Sequence, residues 1–268
     1  MRQQTKIGIE SILLQRPLGL AFDIDGTLSP MATTPGEARL YPGVTELLKQ
    51  ARDRAGVHVA IMTGRGIEDG AAIVNIEGLT YSGTHGLEWS DGLPWVHPVQ
   101  IKPDALAYRE AGISLLNLVD KHLSELPGVV VQRKRVGGSI HFRLAPHPDE
   151  TRLALFALLY EQARKLGMKL REGKRIIEIL SPLAIDKGTA LRRFADQFDL
   201  RGIVFAGDDR TDLDAVREIA LLQREGRAAL SIVVRQDETL PDMLNNADIL
   251  VDGVPGMVAL LRKMVGML

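Results

Sequence analysis

Leu18-Gly19-Leu20-Ala21-Phe22-Asp23-Ile24-Asp25-Gly26-Thr27-Leu28 is the stretch from which the rest of the chain is read. Its first five residues form an apolar run too short for a free-standing helix, and Asp and Gly close it as turn residues close a strand. If the strand is parallel, Asp23 stands at its carboxyl end, where open α/β sheets place their ligands. Gly26 permits close backbone approach, and Thr27 adds a hydroxyl and an amide. Asp23 and Asp25, two residues apart, repel and are driven toward different protonation states. That division suits one acid as ionised nucleophile or metal ligand and the other as proton donor. A polar loop in which Asp caps the next helix accounts for the spacing equally well.

The chain has 268 residues, enough for one large or two modest domains with a substantial core. Its 45% hydrophobic and 25% charged residues exclude disordered and collagen-like classes. A formal net charge of -1 gives no support for a general nucleic-acid binder. The lack of cysteine rules out disulfides, thiolate zinc sites and a cysteine nucleophile. Residues 1–16 are polar with scattered charge and read as carrying no signal peptide. No stretch approaches the roughly 20 apolar residues of a membrane span. A cytoplasmic protein away from membranes is expected, with a monomer as the simplest state.

Outward from the first strand, residues 29–39 are rich in Pro, Thr and Gly and read as a loop over the strand end. Pro42-Gly43 opens a helix to Arg54, with Val44, Leu47, Leu48 and Ala51 on one apolar face and Gly56 as its stop. A second strand, residues 57–62, ends in Thr63-Gly64-Arg65 before another helix. Residues 80–88 read as a turn-rich strand end, and 89–98 as a hairpin around Asp91-Gly92. This βαβαβ order favours a parallel sheet with helical crossovers.

The pattern changes near Lys102-Pro103. A long amphipathic helix is predicted over 104–126, β-rich runs over 129–134 and 139–144, a helix over 149–166, and strands over 168–171 and 175–180. This αββαββ block reads as an inserted antiparallel domain with its helices on one face. Ser181-Pro182 marks the return. A helix over 186–198, a strand over 202–206, a helix over 212–219, strands over 229–234 and 249–251 and a final helix from Pro255 complete the chain. The expected fold is α/β, with a doubly wound parallel-sheet core over 1–103 and 183–268 and an inserted α+β domain over 104–182.

Three core strands thus end in polar residues of complementary type. They are Asp23 with Asp25, then Thr63, then Asp208, Asp209 and Asp212, with Lys187 opening the helix before the last group. The set fits phosphoryl transfer, in which oxygen ligands hold magnesium, a lysine neutralises phosphate charge and a carboxylate attacks.

Asp23-Ile24-Asp25-Gly26-Thr27, Thr63-Gly64-Arg65, Lys187 and Gly207-Asp208-Asp209 resemble, in order, the four motifs of the haloacid dehalogenase superfamily of phosphohydrolases. The resemblance implies that Asp23 is a nucleophile forming an aspartyl-phosphate, and that Asp25 protonates the departing sugar oxygen and then activates water. It implies that Thr63, Gly64 and Lys187 bind phosphate. It also implies that Asp23, the Asp25 carbonyl and Asp208 hold magnesium, with Asp209 and Asp212 in support.

Over nearly the whole chain the sequence is also similar to trehalose-6-phosphate phosphatases. The similarity runs through Ser82-Gly83-Thr84-His85-Gly86-Leu87-Glu88, Gly173-Lys174-Arg175-Ile176-Ile177-Glu178, Asp186-Lys187-Gly188 and the segment from Gly207 to Asp212. It implies hydrolysis of trehalose 6-phosphate to trehalose, with the inserted domain as a cap closing over the substrate. Arg65, Lys134, His141, Arg143, Lys174 and Glu178 are the implied substrate contacts. Gln132 and Gly137 replace the glutamate and serine usual in that family, which leaves room for a sucrose or mannosylglycerate phosphate. A non-catalytic phosphosugar sensor is the rival from another class. A dinucleotide-binding dehydrogenase is disfavoured, because no G-x-G-x-x-G follows the first strand.

Several of these residues also have plain structural readings. Thr63 suits a helix cap, Lys187 an exposed ion pair, Asp209 and Asp212 a turn. His141 alternates with Ile140 and Phe142, so it faces away from them, as a structural histidine or as a substrate contact. His85 reads as a turn residue.

Overall fold

The computed structural model describes residues 8–237 and 239–268. Residues 1–7, part of the stretch read as lacking a signal peptide, lie outside the described residues. The first elements are α1 (Ile9–Leu13), β1 (Leu18–Phe22), α2 (Val44–Arg52), β2 (Val57–Met62), α3 (Ile67–Val74), β3 (Thr80–Gly83), β4 (Glu88–Ser90) and β5 (Gln100–Ile101). Then come α4 (Pro103–Leu106), α5 (Arg109–Asp120), β6 (Val130–Arg133), β7 (Gly138–His141), α6 (Pro148–Lys165), β8 (Lys169–Gly173) and β9 (Ile176–Leu180). The chain ends with α7 (Lys187–Gln197), β10 (Gly202–Gly207), α8 (Leu213–Arg224), β11 (Ala228–Arg235), α9 (Pro241–Asn246), β12 (Ile249–Asp252) and α10 (Gly253–Met267).

The larger sheet has the order β12-β11-β10-β1-β2-β3-β4-β5. Pairing is parallel from β12 through β3, and β4 runs antiparallel to β3. Every residue of β1 is buried, which is why its sequence is continuously apolar rather than alternating. Leu18, Leu20 and Phe22 enter a core shared with Leu47 and Leu48 of α2 and Leu261 of α10. Ala21 faces the opposite core, with Leu191 and Phe194 of α7 and Val216 of α8. Helices on both faces make the sheet doubly wound. Gly19 must lack a side chain, since a Cβ there would sit 2.3 Å from Leu200 Cδ1.

The chain divides into two compact units, the described residues up to Gln100 with Ile185–Leu268, and Ile101–Ala184. The second unit has a four-stranded antiparallel sheet of order β6-β7-β9-β8. Ile140, Ile177 and Ile179 pack with Leu115 and Leu116 of α5 and Leu155 and Leu159 of α6. The register aligns Gln132, Ser139, Glu178 and Arg171 in one row across the sheet. Because side chains alternate along a strand, that row lies on the face away from the core.

Local pattern misjudged some boundaries. The helix expected over 104–126 is divided into α4, α5 and a 3-10 turn at Leu123–Glu125. Tyr108, at φ -96° and ψ 1°, interrupts it as the ring turns in to pack on the unit's core. The hairpin expected over 89–98 takes the form of two short neighbouring strands, β4 and β5, joined by a longer loop through Asp91-Gly92, with β4 also antiparallel to β3. Helices α1 and α9, of 5 and 6 residues, were too short to show a period. Among the described residues no helix is long and apolar enough to cross a membrane.

Tyr81 fixes β3 to the loop after α3. Its hydroxyl donates to Ile76 O at 2.7 Å and accepts from the Ile76 N–H at 3.1 Å. Burial pushes the phenol up to about 12. Its protonated form therefore contributes stability that is intact below the unfolded value of about 10 and lost as pH rises toward 12. In urea unfolding, wild-type protein is expected to lose about 1 kcal/mol more than Tyr81→Phe between about pH 8 and pH 11. Equal losses would show that this phenol is not the group responsible.

Candidate active site

Strands β10, β1 and β2 are adjacent and parallel, so their carboxyl ends carry Asp208, Asp23 and Thr63 to one edge of the sheet. The Asp23 N–H donates to Ala206 O at 2.9 Å, extending the strand pairing by one residue. Beyond it the chain turns tightly, with the Leu28 and Ser29 N–H groups on Ile24 O at 2.9 and 2.8 Å. Gly26 has φ +76°, and a Cβ there would lie 2.0 Å from Asp208 Oδ2, so glycine is required on both counts. Gln236 Nε2 donates to Gly26 O at 2.9 Å, steadying the turn from outside.

Lys187 is the first residue of α7, set there by Asp186, whose Oδ1 caps the helix by accepting from the Thr189 N–H at 2.8 Å. Its Nζ lies 2.8 Å from Asp23 Oδ1 and 2.6 Å from Asp212 Oδ1. The other Asp212 oxygen accepts from the N–H groups of Asp208 and Asp209 at 3.0 and 3.1 Å. Asp212 thereby joins the lysine to the loop after β10. Asp23, Asp208 and Asp212, all buried, each offer an oxygen within 4.8 Å of the others. Asp208 Oδ1 is buried with no hydrogen-bond partner.

Burial raises Asp23 well above the ordinary carboxylate range, with Lys187 opposing and Asp212, Asp209 and Asp25 adding to the rise. Burial raises Asp208 in the same way, reinforced by Asp212 and Asp23. It also lifts Asp212 to about 6, against the pull of Lys187. Burial pulls Lys187 down, yet Asp212, Asp23 and Asp209 together hold it above its ordinary value. For Asp209 burial is outweighed by Lys187 and the Thr211 hydrogen bonds, and the group is lowered. One ammonium is thus shared among several acids. An all-oxygen donor set with an unpartnered buried carboxylate oxygen fits a hard divalent cation.

The Asp25 carboxylate lies outside this cluster. Arg65 grips it with two bonds, Nε to Oδ2 at 2.6 Å and Nη2 to Oδ1 at 2.7 Å, and also donates from Nη1 to Pro35 O at 2.9 Å. Arg65, expected at the substrate, is therefore engaged with Asp25, and Asp212, expected in support, is one of the three clustered acids. Thr63 is buried, and its Oγ1 accepts from the Arg65 N–H at 3.2 Å. Asp209 Oδ1 accepts from Thr211 N–H and Oγ1 at 2.8 and 2.6 Å, a capping arrangement.

In the second unit Lys134 Nζ lies 3.0 Å from Glu178 Oε1, and Glu178 Oε2 accepts from Arg171 Nη2 at 2.7 Å and Nε at 3.0 Å. His141 Nε2 lies 3.1 Å from Gln132 Oε1, on the face opposite the buried Ile140 and Phe142. Lys174 is exposed in the turn between β8 and β9, and Arg143 follows β7. Arg171 and Gln236 were not singled out in the sequence. Their partners are fixed by strand register and loop packing, which no local spacing displays.

The arrangement is an open, mostly parallel α/β sheet with acids at the carboxyl ends of two adjacent strands and a lysine beside them. In fold it is similar to a haloacid dehalogenase-like hydrolase from Bacteroides thetaiotaomicron, with a TM-score of 0.62 at 12% identity over 92% of this chain and 99% of that one. Residues 21–254 match the model of the trehalose-phosphatase family, and the chain belongs to that family. It is 29% identical over 237 residues to the trehalose-phosphate phosphatase of Mycobacterium tuberculosis, covering 87% of this chain and 57% of the relative. The trehalose-phosphate phosphatase of Mycobacterium ulcerans is 30% identical, with 84% and 57% covered. The chain thus spans little more than half the length of these relatives. In fold it is similar to the C-terminal domain of Candida albicans trehalose-6-phosphate phosphatase, with a TM-score of 0.79 at 16% identity over 97% and 96% of the two chains. A trehalose-6-phosphate phosphatase related protein gives a TM-score of 0.75 at 24% identity over 93% and 97%.

Lys187→Gln removes the cation from between Asp23 and Asp212. Folding stability is expected to fall by about 3–5 kcal/mol, the usual effect of leaving a buried charge uncompensated. Added magnesium is expected to restore part of the loss by binding only the folded state. Chemical denaturation with and without the metal checks both, and a variant as stable as wild type would deny the lysine this role.

Proposed function

We propose that the chain is a magnesium-dependent phosphohydrolase that converts trehalose 6-phosphate to trehalose through an aspartyl-phosphate intermediate. The observation that carries the reading is Asp23, at the end of the central strand, held 2.8 Å from Lys187 and clustered with Asp208. Asp23 attacks phosphorus, and the bond from phosphorus to the sugar oxygen breaks as Asp25 delivers a proton to that oxygen. Asp25 then takes a proton from a water whose oxygen attacks the acyl phosphate. The bond from Asp23 to phosphorus breaks, inorganic phosphate leaves and the carboxylate is regenerated. Arg65 is a substrate contact that also holds Asp25 through two bonds, while Lys187, Thr63 and Gly64 bind the phosphate and Asp209 steadies the loop. Asp23, Asp208 and the Asp25 carbonyl would hold magnesium, with Asp212 in support, and the metal would supply Lewis-acid neutralisation of charge.

Support for a sugar substrate comes from the second unit, read here as the cap. The face of its sheet away from the core carries Gln132, Lys134, Ser139, His141, Arg171 and Glu178, a row of donors and acceptors suited to hydroxyl groups. Arg143 and Lys174 add cations nearby in sequence. A trehalose phosphate is favoured by the name that both mycobacterial relatives bear.

Phosphate release is expected to require magnesium, to stop on chelation, and to be fastest with trehalose 6-phosphate among it, glucose 6-phosphate, sucrose 6-phosphate and mannosyl-3-phosphoglycerate. Asp23→Asn is expected to lower kcat by roughly a thousandfold or more, and retained turnover would sink the nucleophile. Lys134→Ala is expected to raise KM for the preferred sugar by about tenfold while leaving p-nitrophenyl phosphate hydrolysis little changed. Preference for another sugar would reassign the substrate, and binding without turnover would support a sensor.

A further inference from the structure

We infer that Glu88 is a positioning residue for the segment Thr63-Gly64-Arg65-Gly66-Ile67, the phosphate-binding loop of the proposed reaction. Glu88 lies on β4 and is 0% exposed, so its burial carries a desolvation cost that the contacts of Oε2 help to offset. Its Oε2 accepts from the Ile67 N–H at 2.8 Å and from the Thr84 hydroxyl at 3.1 Å. Ile67 is the first residue of α3, so its N–H is one of the donors that a helix leaves unsatisfied at its amino end, where negative charge is favoured.

The strand end beside Glu88 grips the same loop through its backbone. The Thr63 N–H donates to Ser82 O at 2.9 Å, the His85 N–H to Thr63 O at 3.0 Å and the Thr84 N–H to Arg65 O at 2.7 Å. Thr84 and His85 adopt φ +47° and +58°, left-handed values disfavoured for residues with a Cβ. Such strain persists only where the surroundings over-determine it, and the bond from the Thr84 hydroxyl to Glu88 is part of that determination. The packing leaves no slack. A Cβ on Gly83 would stand 2.5 Å from Ile67 N and 2.7 Å from Glu88 Oε2, and one on Gly64 would stand 2.5 Å from the His85 ring.

The buried Glu88 carboxyl thus ties the strained turn at Thr84 and His85 to the segment that carries Thr63 and Gly64. The inference rests on the reading of Thr63 and Gly64 as phosphate-binding. Misplacing such groups by about an ångström costs roughly ten- to a hundredfold in function.

Glu88→Gln keeps the size of the side chain and replaces one carboxyl oxygen with an amide nitrogen, whereas Thr84→Ala removes the hydroxyl together with the γ-methyl. Tyr81→Phe, whose lost bonds go to Ile76, is the control for general loosening of β3. The measurement is calorimetric binding of inorganic phosphate and orthovanadate to the full chain with magnesium, at a temperature where each variant is folded, together with KM. Glu88→Gln and Thr84→Ala are expected to weaken phosphate binding about tenfold and to raise KM in proportion, while Tyr81→Phe keeps wild-type affinity. Wild-type affinity in both loop variants, or an equal loss in Tyr81→Phe, would overturn the inference. If Glu88→Gln does not fold, Thr84→Ala decides alone. A wild-type protein that binds phosphate but hydrolyses no sugar phosphate would refute the phosphatase reading and leave the affinity comparison decisive for Glu88. One that binds no phosphate overturns both.

Discussion

A single ammonium group, Lys187 Nζ, stands 2.8 Å from Asp23 and 2.6 Å from Asp212 in a place the fold has closed to water. Carboxylates brought together this way repel each other and lose hydration, and neither cost is recovered by packing. The lysine is what makes the arrangement tolerable. Its position must therefore be fixed better than a long flexible side chain normally is. Burial supplies part of that rigidity, and the two acids supply the rest.

The helix that carries the lysine is fastened accordingly. Arg192 of α7 reaches α8 and the residue after it, with Nε 2.6 Å from Glu218 Oε1 and Nη2 2.8 Å from Glu225 Oε1. Gly188, next to the lysine, lets the start of α7 approach α8 so closely that a Cβ would lie 2.6 Å from Asp214 O. Phe194 and Leu191 anchor the inner face of α7 against the sheet. A lysine at the amino end of a helix is electrostatically unfavourable, because that end already carries partial positive charge. Asp23 and Asp212 reverse the balance, so the helix end and the acid cluster depend on each other.

The sequence made the sheet and the acids legible for the same reason. A buried parallel strand is a short, unbroken apolar run, and a polar residue directly after it can only be at the strand end. Asp23, Thr63 and Asp208 could be placed on that basis, as could Lys187 from its helix start. What remained hidden was set by contacts distant in sequence. Tyr108 stands at the break in the expected helix with its ring against the second unit's core, and nothing in the spacing of 104–126 announces that break. Arg171 meets Glu178 through the register of β8 and β9. Glu88 was visible as part of a motif, but its reach back to Ile67 depends on β4 folding against β3. The separation of Asp25 from the other acids was hidden as well, since only the fold brings Arg65 beside it.

The strand order has a consequence for how the protein is made. β1 lies between β2, which follows it closely in the chain, and β10, which is synthesised only after the whole of 101–184. Until β10 emerges from the ribosome, one flank of Leu18–Phe22 is a bare apolar edge with unanswered amide and carbonyl groups, the kind of surface that recruits strands from other chains. Asp23 likewise waits for Lys187 until residues 101–184 have been made. The strand order thus makes the half-translated chain, rather than the finished one, the form whose central strand lacks a neighbour on one side.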